Sequence, residues 1–305
     1  YLSLFGLLSA LFLIKFLKGT ANLSTLFIGC FFLGLTFAIK WNGLGFWLMS
    51  VLFILFVLFF NKQLKTEQQG ALLSQSQNFK FNILSVSFIP FLAYLILWIP
   101  DLLFHEADLV DKHSQIASYH TSNIEQKLHP YSSSWFTWPI MLRPIAYYFS
   151  SQEILTASGN SLTVFNAVHL FPNPALSLFS LIAIFIMTLN WLNSFSKVIS
   201  SKIYDSDFVA TTFILLGFFA NFLPWALVSR SAFIYHYQPA ACFSFIALAY
   251  LLHRISLKKE TEYKALYICS LVLIVMSAIY WLPIQLGLDI TGETFQARMW
   301  IDSWI

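Results

Sequence analysis

Three strong cations stand beside aromatic residues in this chain: Lys40 in KWNG, Arg143 in MLRPI and Arg230 in SRSAF. The densest stretch is residues 129–149, HPYSSSWFTWPIMLRPIAYYF, which packs aromatics and three prolines around Arg143. Rings with polar handles next to a fixed positive charge suit a bilayer surface, where they hold a lipid phosphate or a sugar. Trp135 and Trp138, three apart, can both anchor at headgroup depth, and Pro130, Pro139 and Pro144 prevent one long helix. Interfacial anchoring and ligand binding weigh evenly for Arg143. Lys40 either snorkels to the interface or neutralises a phosphate. His236 and Tyr237 fall near the start of an apolar segment, where an ionisable residue is a functional candidate or a hydrogen-bonded bundle histidine.

The remaining histidines raise the question of a metal. His105, His113, His120, His129 and His169 lie between Pro100 and Pro174, with Asp101, Glu106, Asp108, Asp111, Glu125 and Glu153. His113 and His120 are seven apart, too far to share an ion on a straight helix, and no HExxH or i, i+4 histidine pair occurs. No metal site is expected; solvated or hydrogen-bonded side chains are the expectation. Residues 109–128 read as a helix that could lie on the membrane surface, with Ile116, Tyr119, Asn123 and Lys127 on one side. Cys30, Cys242 and Cys269 sit in apolar runs without metal or disulfide spacing.

The elements that must position these groups follow from composition. Of 305 residues, 58% are hydrophobic and 10% are charged. A soluble domain carries about 25% charged residues, so most of this surface meets lipid. Eight apolar segments approach spanning length: 2–17, 23–39, 44–60, 83–99, 175–192, 208–228, 233–252 and 265–286, the first two being short. They are continuously apolar, which favours helices over membrane strands. Alternate connections hold eleven of the 17 Lys and Arg residues: Lys15, Lys18, Lys62, Lys65, Lys80, Lys197, Lys202, Arg254, Lys258, Lys259 and Lys264. That side is cytoplasmic by the positive-inside rule. Lys40, Arg143 and Arg230 then share the opposite face. The expected fold is an all-α polytopic membrane protein of about eight spanning helices with one long extracytoplasmic loop. Residues 1–100 form four helices with a cytoplasmic linker at 61–82. Residues 101–172 form the loop with interfacial helices. Residues 173–305 form a four-helix region and an outer tail.

Five spaced motifs resemble the protein O-mannosyltransferases, a family of the GT-C glycosyltransferase class. The stretch at 129–149 resembles the motif of their last outer loop. FFLGLTFAIKWNGL at 31–44 is similar to a helix of theirs ending in Lys-Trp-x-Gly. Asn173-Pro174 resembles the step into their last four helices. SRSAFIYHYQPA at 229–240 and the tail from Arg298-Met299-Trp300 complete the series, in the family's order. The resemblance implies a membrane enzyme of prokaryotic type in a bacterial inner membrane. Such an enzyme moves mannose from a polyprenyl (dolichyl-type) phosphate to Ser or Thr hydroxyls of secreted or membrane proteins, with inversion.

The resemblance also implies an acidic pair in a first outer loop as general base. No Asp or Glu precedes Glu67, and the chain begins at Tyr1, so the expectation is a C-terminal two-thirds fragment, inactive by itself, whose base lies upstream of Tyr1. Lys40, Arg143 and Arg230, with His236 and Tyr237, are then candidates for the lipid phosphate and sugar. His129, Tyr131, Trp135 and Trp138 are candidates for shaping the acceptor or sugar pocket. No cofactor beyond the lipid-linked donor and no nucleic acid is implied, and a homo- or heterodimer is compatible. A lipid A aminoarabinose-type transferase is the alternative enzyme. A transporter is disfavoured, because charges cluster at helix ends and no inverted repeat is evident.

Overall fold

In lipid every backbone N–H and C=O must be paired within the protein, so continuously apolar runs become helices. The computed structural model describes residues 1–63, 79–104, 108–121, 129–155, 157, 159, 161–201 and 204–304. His105, Glu106, Lys65, Glu67, Glu125, Lys127 and the end of the expected 109–128 helix lie outside the described residues. Among the described residues six helices are long and apolar enough to cross a membrane, and two shorter apolar helices, Leu2–Leu17 and Leu23–Ile39, precede them. The chain is a multi-pass membrane protein.

The chain divides into two units. The first comprises Tyr1–Ile124, Phe185–Arg230 and Gln238–Phe243. It begins with α1 (Leu2–Leu17), α2 (Leu23–Ile39), α3 (Leu44–Gln63), α4 (Phe79–Phe104) and α5 (Leu109–Thr121). Local chemistry fixes the helix starts: Asn22 Oδ1 accepts from Thr25 N at 3.3 Å, and Asp108 Oδ1 accepts from Val110 N at 2.7 Å. α1 packs on α2, and α2 and α3 both pack on α4. The later half of α6 (Pro174–Ser201) and all of α7 (Ser206–Phe222, capped by Asp205) join them. Phe53, Phe56, Phe60, Trp191, Phe195 and Phe208 form a chain of ring contacts, and Trp191 Nε1 donates to Thr212 Oγ1 at 2.7 Å. Gly217 admits the fully buried Phe243 ring; a Cβ there would stand 2.2 Å from it.

Two expected helices are shorter than their apolar runs. The segment 208–228 is helical only to Phe222, then tightens into a 3₁₀ turn at Leu223–Leu227 around Pro224. The segment 233–252 starts with a 3₁₀ turn, Ile234–Tyr237, and the α-helix α8 (Gln238–Ser256) begins where Pro239 fits its first turn. Where polar flanks tolerate it, helices outrun the apolar runs: α4 reaches Phe104 and α6 reaches Ser201.

The second unit comprises Glu125–Ile184, Ser231–Tyr237 and Ser244–Ile305. Its sheet adds a β element to the helical expectation. Strands β1 (Ile145–Leu155) and β2 (Ser161–Leu170) form an antiparallel hairpin with an irregularity between Ala146 and Tyr148. β3 (Ile290–Thr291) pairs with Val164 and Phe165. The helix α9 (Thr261–Leu286) ends at Gly287 in a left-handed cap, and α10 (Gly292–Gln296) follows β3. The core joins Ala167, Phe171, Trp281, Ile284, Phe295 and Trp304. Asn173 Nδ2 donates to Ile274 O at 2.8 Å while its Oδ1 accepts from Leu176 N, so the Asn173-Pro174 step pins the start of α6 to α9.

Candidate functional site

Lys40 sits in extended backbone between α2 and a 3₁₀ turn at Trp41–Gly43. Its N–H closes α2 on Thr36 O at 3.2 Å, and its carbonyl accepts from Gly43 N at 2.9 Å. Gly43 makes this turn possible: a Cβ there would stand 2.6 Å from Thr36 O. Arg230 follows the Pro224 turn, and its guanidinium lies 5.7 Å from the Tyr119 ring of α5. Both cations line one cavity of about 430 Å³, with Trp41, Asn42, Trp47, Asn221 and Trp225. The lysine pKa is lowered, first by burial and then by the Arg230 charge. Two cations held together in a largely apolar cavity favour an anion between them. The walls also carry unmet polarity. Asn42 Oδ1, Trp47 Nε1 and Asn221 Oδ1 are buried without a partner among the described residues, while Asn221 Nδ2 donates to Gly217 O at 2.9 Å.

A second, apolar cavity of about 720 Å³ shares Trp41 and Leu44 with the first. Phe37, Phe91, Leu95 and Val110 line it with Tyr94 and His113. A directed chain of hydrogen bonds crosses its wall. The Leu109 carbonyl, 2.7 Å from His113 Nδ1, can only accept, which assigns the proton to Nδ1. His113 Nε2 then accepts from Tyr94 Oη at 2.6 Å, and Tyr94 Oη accepts from Trp41 Nε1 at 3.2 Å. Lys112 of α5 pairs with Asp101 of α4 and lies 5.9 Å from the Trp98 ring.

The other sequence candidates belong to the second unit. Arg143 donates from Nη1 to Ser303 O at 2.6 Å and from Nε to Pro130 O at 3.1 Å, and stands 5.3 Å from the Tyr131 ring. Trp138 is 1% exposed; its Nε1 donates to Ser133 Oγ at 3.0 Å, and its ring stacks on His236 at 6.1 Å. His236 is also 1% exposed and Tyr237 is buried, the latter hydrogen-bonded to Ser244. These three are packing residues in this arrangement. His129 is exposed, with its ring edge-on to Phe233 at 5.2 Å and its Nδ1 accepting from Tyr131 N at 3.2 Å. Trp135 is half-buried against Phe136. His113, one of the histidines expected to be solvated or hydrogen-bonded, is the hydrogen-bonding end of the Tyr94–Trp41 chain. Asn42, Trp47 and Asn221 carry no local sequence signal, since nothing in a short turn or an apolar helix marks which polar side chain will face a cavity.

The Arg298 tail is equally committed to structure. Arg298 donates from Nε to Tyr280 O and from Nη1 to Thr294 O, with its guanidinium 4.5 Å from the Tyr280 ring. Trp304 Nε1 donates to Met141 O at 2.8 Å.

Known proteins resemble this chain over much of its length. A family model of the C-terminal four-transmembrane region of protein O-mannosyltransferase matches residues 105–304. The polyprenol-phosphate-mannose–protein mannosyltransferase of Mycolicibacterium smegmatis is 27% identical over 190 residues, 60% of this chain and 34% of the relative. Dolichyl-phosphate-mannose–protein mannosyltransferase 1 of Saccharomyces cerevisiae is 27% identical over 180 residues, 58% of this chain and 21% of the relative. The aligned region thus spans about a third or less of these curated relatives. The structure of the S. cerevisiae protein O-mannosyltransferase Pmt1–Pmt2 complex bound to the sugar donor aligns with a TM-score of 0.51 at 25% identity, covering 65% of this chain and 27% of that one. With the match extending over residues 105–304, through the Arg298 tail, the chain belongs to the protein O-mannosyltransferase family.

Proposed function

We propose that this chain is part of an enzyme that transfers mannose from a polyprenyl phosphate to Ser and Thr hydroxyls of proteins, at the extracytoplasmic face of a bacterial inner membrane. The observation that carries the reading is the shared cavity of Lys40 and Arg230 in a chain of this family. The M. smegmatis relative is named for a polyprenol-phosphate-mannose donor and a protein acceptor. In such a transfer the acceptor oxygen attacks the anomeric carbon and a base takes its proton. The carbon–oxygen bond to phosphate breaks on the opposite face, with inversion, and the phosphate leaves as the anion. Lys40 and Arg230 stabilise that leaving charge where it grows. Asn42, Trp47 and Asn221 offer hydrogen-bonding capacity to sugar hydroxyls beside the phosphate. His129, Tyr131 and Trp135 of the second unit are candidates for acceptor contact, and Arg143, Trp138, His236 and Tyr237 are framework residues of that unit. The yeast structure is of a Pmt1–Pmt2 complex, and a dimer fits this protein as well.

The test is transfer of radiolabelled mannose from polyprenyl phosphate by membranes carrying the complete protein, offered a Ser/Thr peptide or lipid A. Label enters the peptide, and Lys40→Ala or Arg230→Ala reduces the rate about 10²-fold or more. Unchanged rates remove that residue from the site, and label in lipid A replaces the protein acceptor with a lipid one.

A further inference from the structure

The helix α5 is exposed along most of its length, yet it touches the walls around both cations. His113 ends the hydrogen-bond chain that fixes the Trp41 indole, and Trp41 is the residue after Lys40 in a turn closed by Gly43. Two turns further along the same helix, the Tyr119 ring faces the Arg230 guanidinium at 5.7 Å. The Lys112–Asp101 pair and the Trp41, Tyr94 and Trp98 rings around His113 hold the helix against α4.

From this geometry we infer that α5 is a strap that sets the spacing of the cation pair: His113 positions Lys40 through Tyr94 and Trp41, and Tyr119 positions Arg230. His113 and Tyr119 are positioning residues; neither needs to touch the substrate. The physical need is plain. Two like charges in one cavity repel, and Lys40 sits on a short extended break, so an untethered turn would be free to move away. A strap fastened to both sides keeps the cations at a distance one phosphate can bridge, which lowers the reorganisation cost of binding. The inference rests on the phosphate reading of the cavity given above.

The experiment titrates the protein, reconstituted in phosphatidylcholine nanodiscs, with farnesyl phosphate, and records thermal midpoints in parallel. His113→Phe and Tyr94→Phe each weaken binding about tenfold, equivalent to the loss of one well-placed hydrogen bond. The double variant is no weaker than either single one, because both break the same chain. His113→Gln, whose amide oxygen can accept from Tyr94, restores affinity. Tyr119→Leu weakens binding independently; its ring is 52% exposed, so this variant folds and keeps the idea testable should the buried variants misfold. Gln115→Ala, an exposed neighbour on α5, binds as the wild type does. Variants at 94, 113 and 119 that bind as the wild type overturn the strap while leaving the phosphate site standing. Additive losses in the double variant, or no rescue by Gln, overturn the His113 arm. A wild-type protein that binds no farnesyl phosphate overturns the phosphate site itself, and the strap with it.

Discussion

Arg143 donates from Nη1 to the carbonyl oxygen of Ser303 at 2.6 Å, across 160 positions of sequence. With Nε on Pro130 O and the Tyr131 ring facing the guanidinium, this arginine ties the loop before β1 to the tail beyond α10. The planar fork reaches two carbonyls in different directions, which a lysine ammonium on one flexible stem does not.

Arg143→Lys and Arg143→Ala are therefore expected to lower stability by about 1–3 kcal/mol, the cost of stranding carbonyls that had a charged donor. Thermal unfolding in detergent reads this directly. Farnesyl phosphate affinity at fixed temperature stays near wild type in both variants. A large affinity loss with an unchanged melting midpoint would move Arg143 from the framework to the ligand.

Gly43→Ala should be disproportionately damaging for so small a change. Its Cβ would meet the Thr36 carbonyl at 2.6 Å and the Thr36 carbonyl carbon at 2.7 Å, both backbone atoms that cannot rotate away. The turn has to shift, at about 1–3 kcal/mol, and Lys40 shifts with it. Phosphate binding and the melting midpoint should both fall, whereas alanine at exposed Gly159, which has nothing within 4 Å, changes neither beyond the cost of its positive φ.

Phosphate affinity should depend on pH through Lys40. Burial, then the neighbouring Arg230, brings its pKa below the ordinary 10.5. The cation is complete below that lowered value, and affinity declines as pH rises through it, earlier than for a free lysine. In Arg230→Gln the affinity is lower throughout, but its decline moves to higher pH because one of the two causes is gone. The stability sign is the reverse: the folded site disfavours charged Lys40, so its cost fades as pH climbs past the lowered pKa. A titration series whose decline does not move in Arg230→Gln would separate the two cations.

His169 supplies an acid-side prediction. It is 6% exposed on β2, its Nδ1 has no partner among the described residues, and its pKa is lowered from 6.5 by burial. The fold thus holds it neutral. Above 6.5 the residue is neutral folded and unfolded, and stability is unaffected. As pH falls through 6.5 the unfolded chain takes the proton first, so stability drops until the folded pKa is reached. His169→Phe, beside the Phe295 ring, should flatten that slope in a melting-midpoint profile without changing the neutral-pH plateau by more than its packing difference.

The spans were legible because lipid leaves so little choice. Apolar runs, the Asn22 and Asp205 caps, and the Pro224 and Pro239 breaks each state their structure in local terms. The hairpin also has a local signal, beside the helical expectation for this loop. Residues 145–149 and 162–168 are aromatic and β-branched runs, and the stretch between them contains Ser-Gly-Asn, a composition that favours chain reversal. What local reading could not provide was pairing at a distance. Nothing near Lys40 says that Arg230 will share its cavity, and nothing near Trp138 says that its ring will be sealed against His236. Those outcomes depend on which helix faces pack. For the same reason the aromatic loop advertised a binding surface, while much of its aromatic content went into framework.

The helix α9 is only 11% buried along its apolar window. Its sequence is held to oiliness rather than to shape, so its outward positions exchange Leu, Ile, Val and Met with little penalty. One of those positions is Cys269, which is exposed, while Cys30 is buried and Cys242 partly so. The protein therefore carries a built-in attachment point on its outer skin. A nitroxide or bimane placed there would report depth in the bilayer and the approach of a neighbouring molecule, with the cation cavity left untouched.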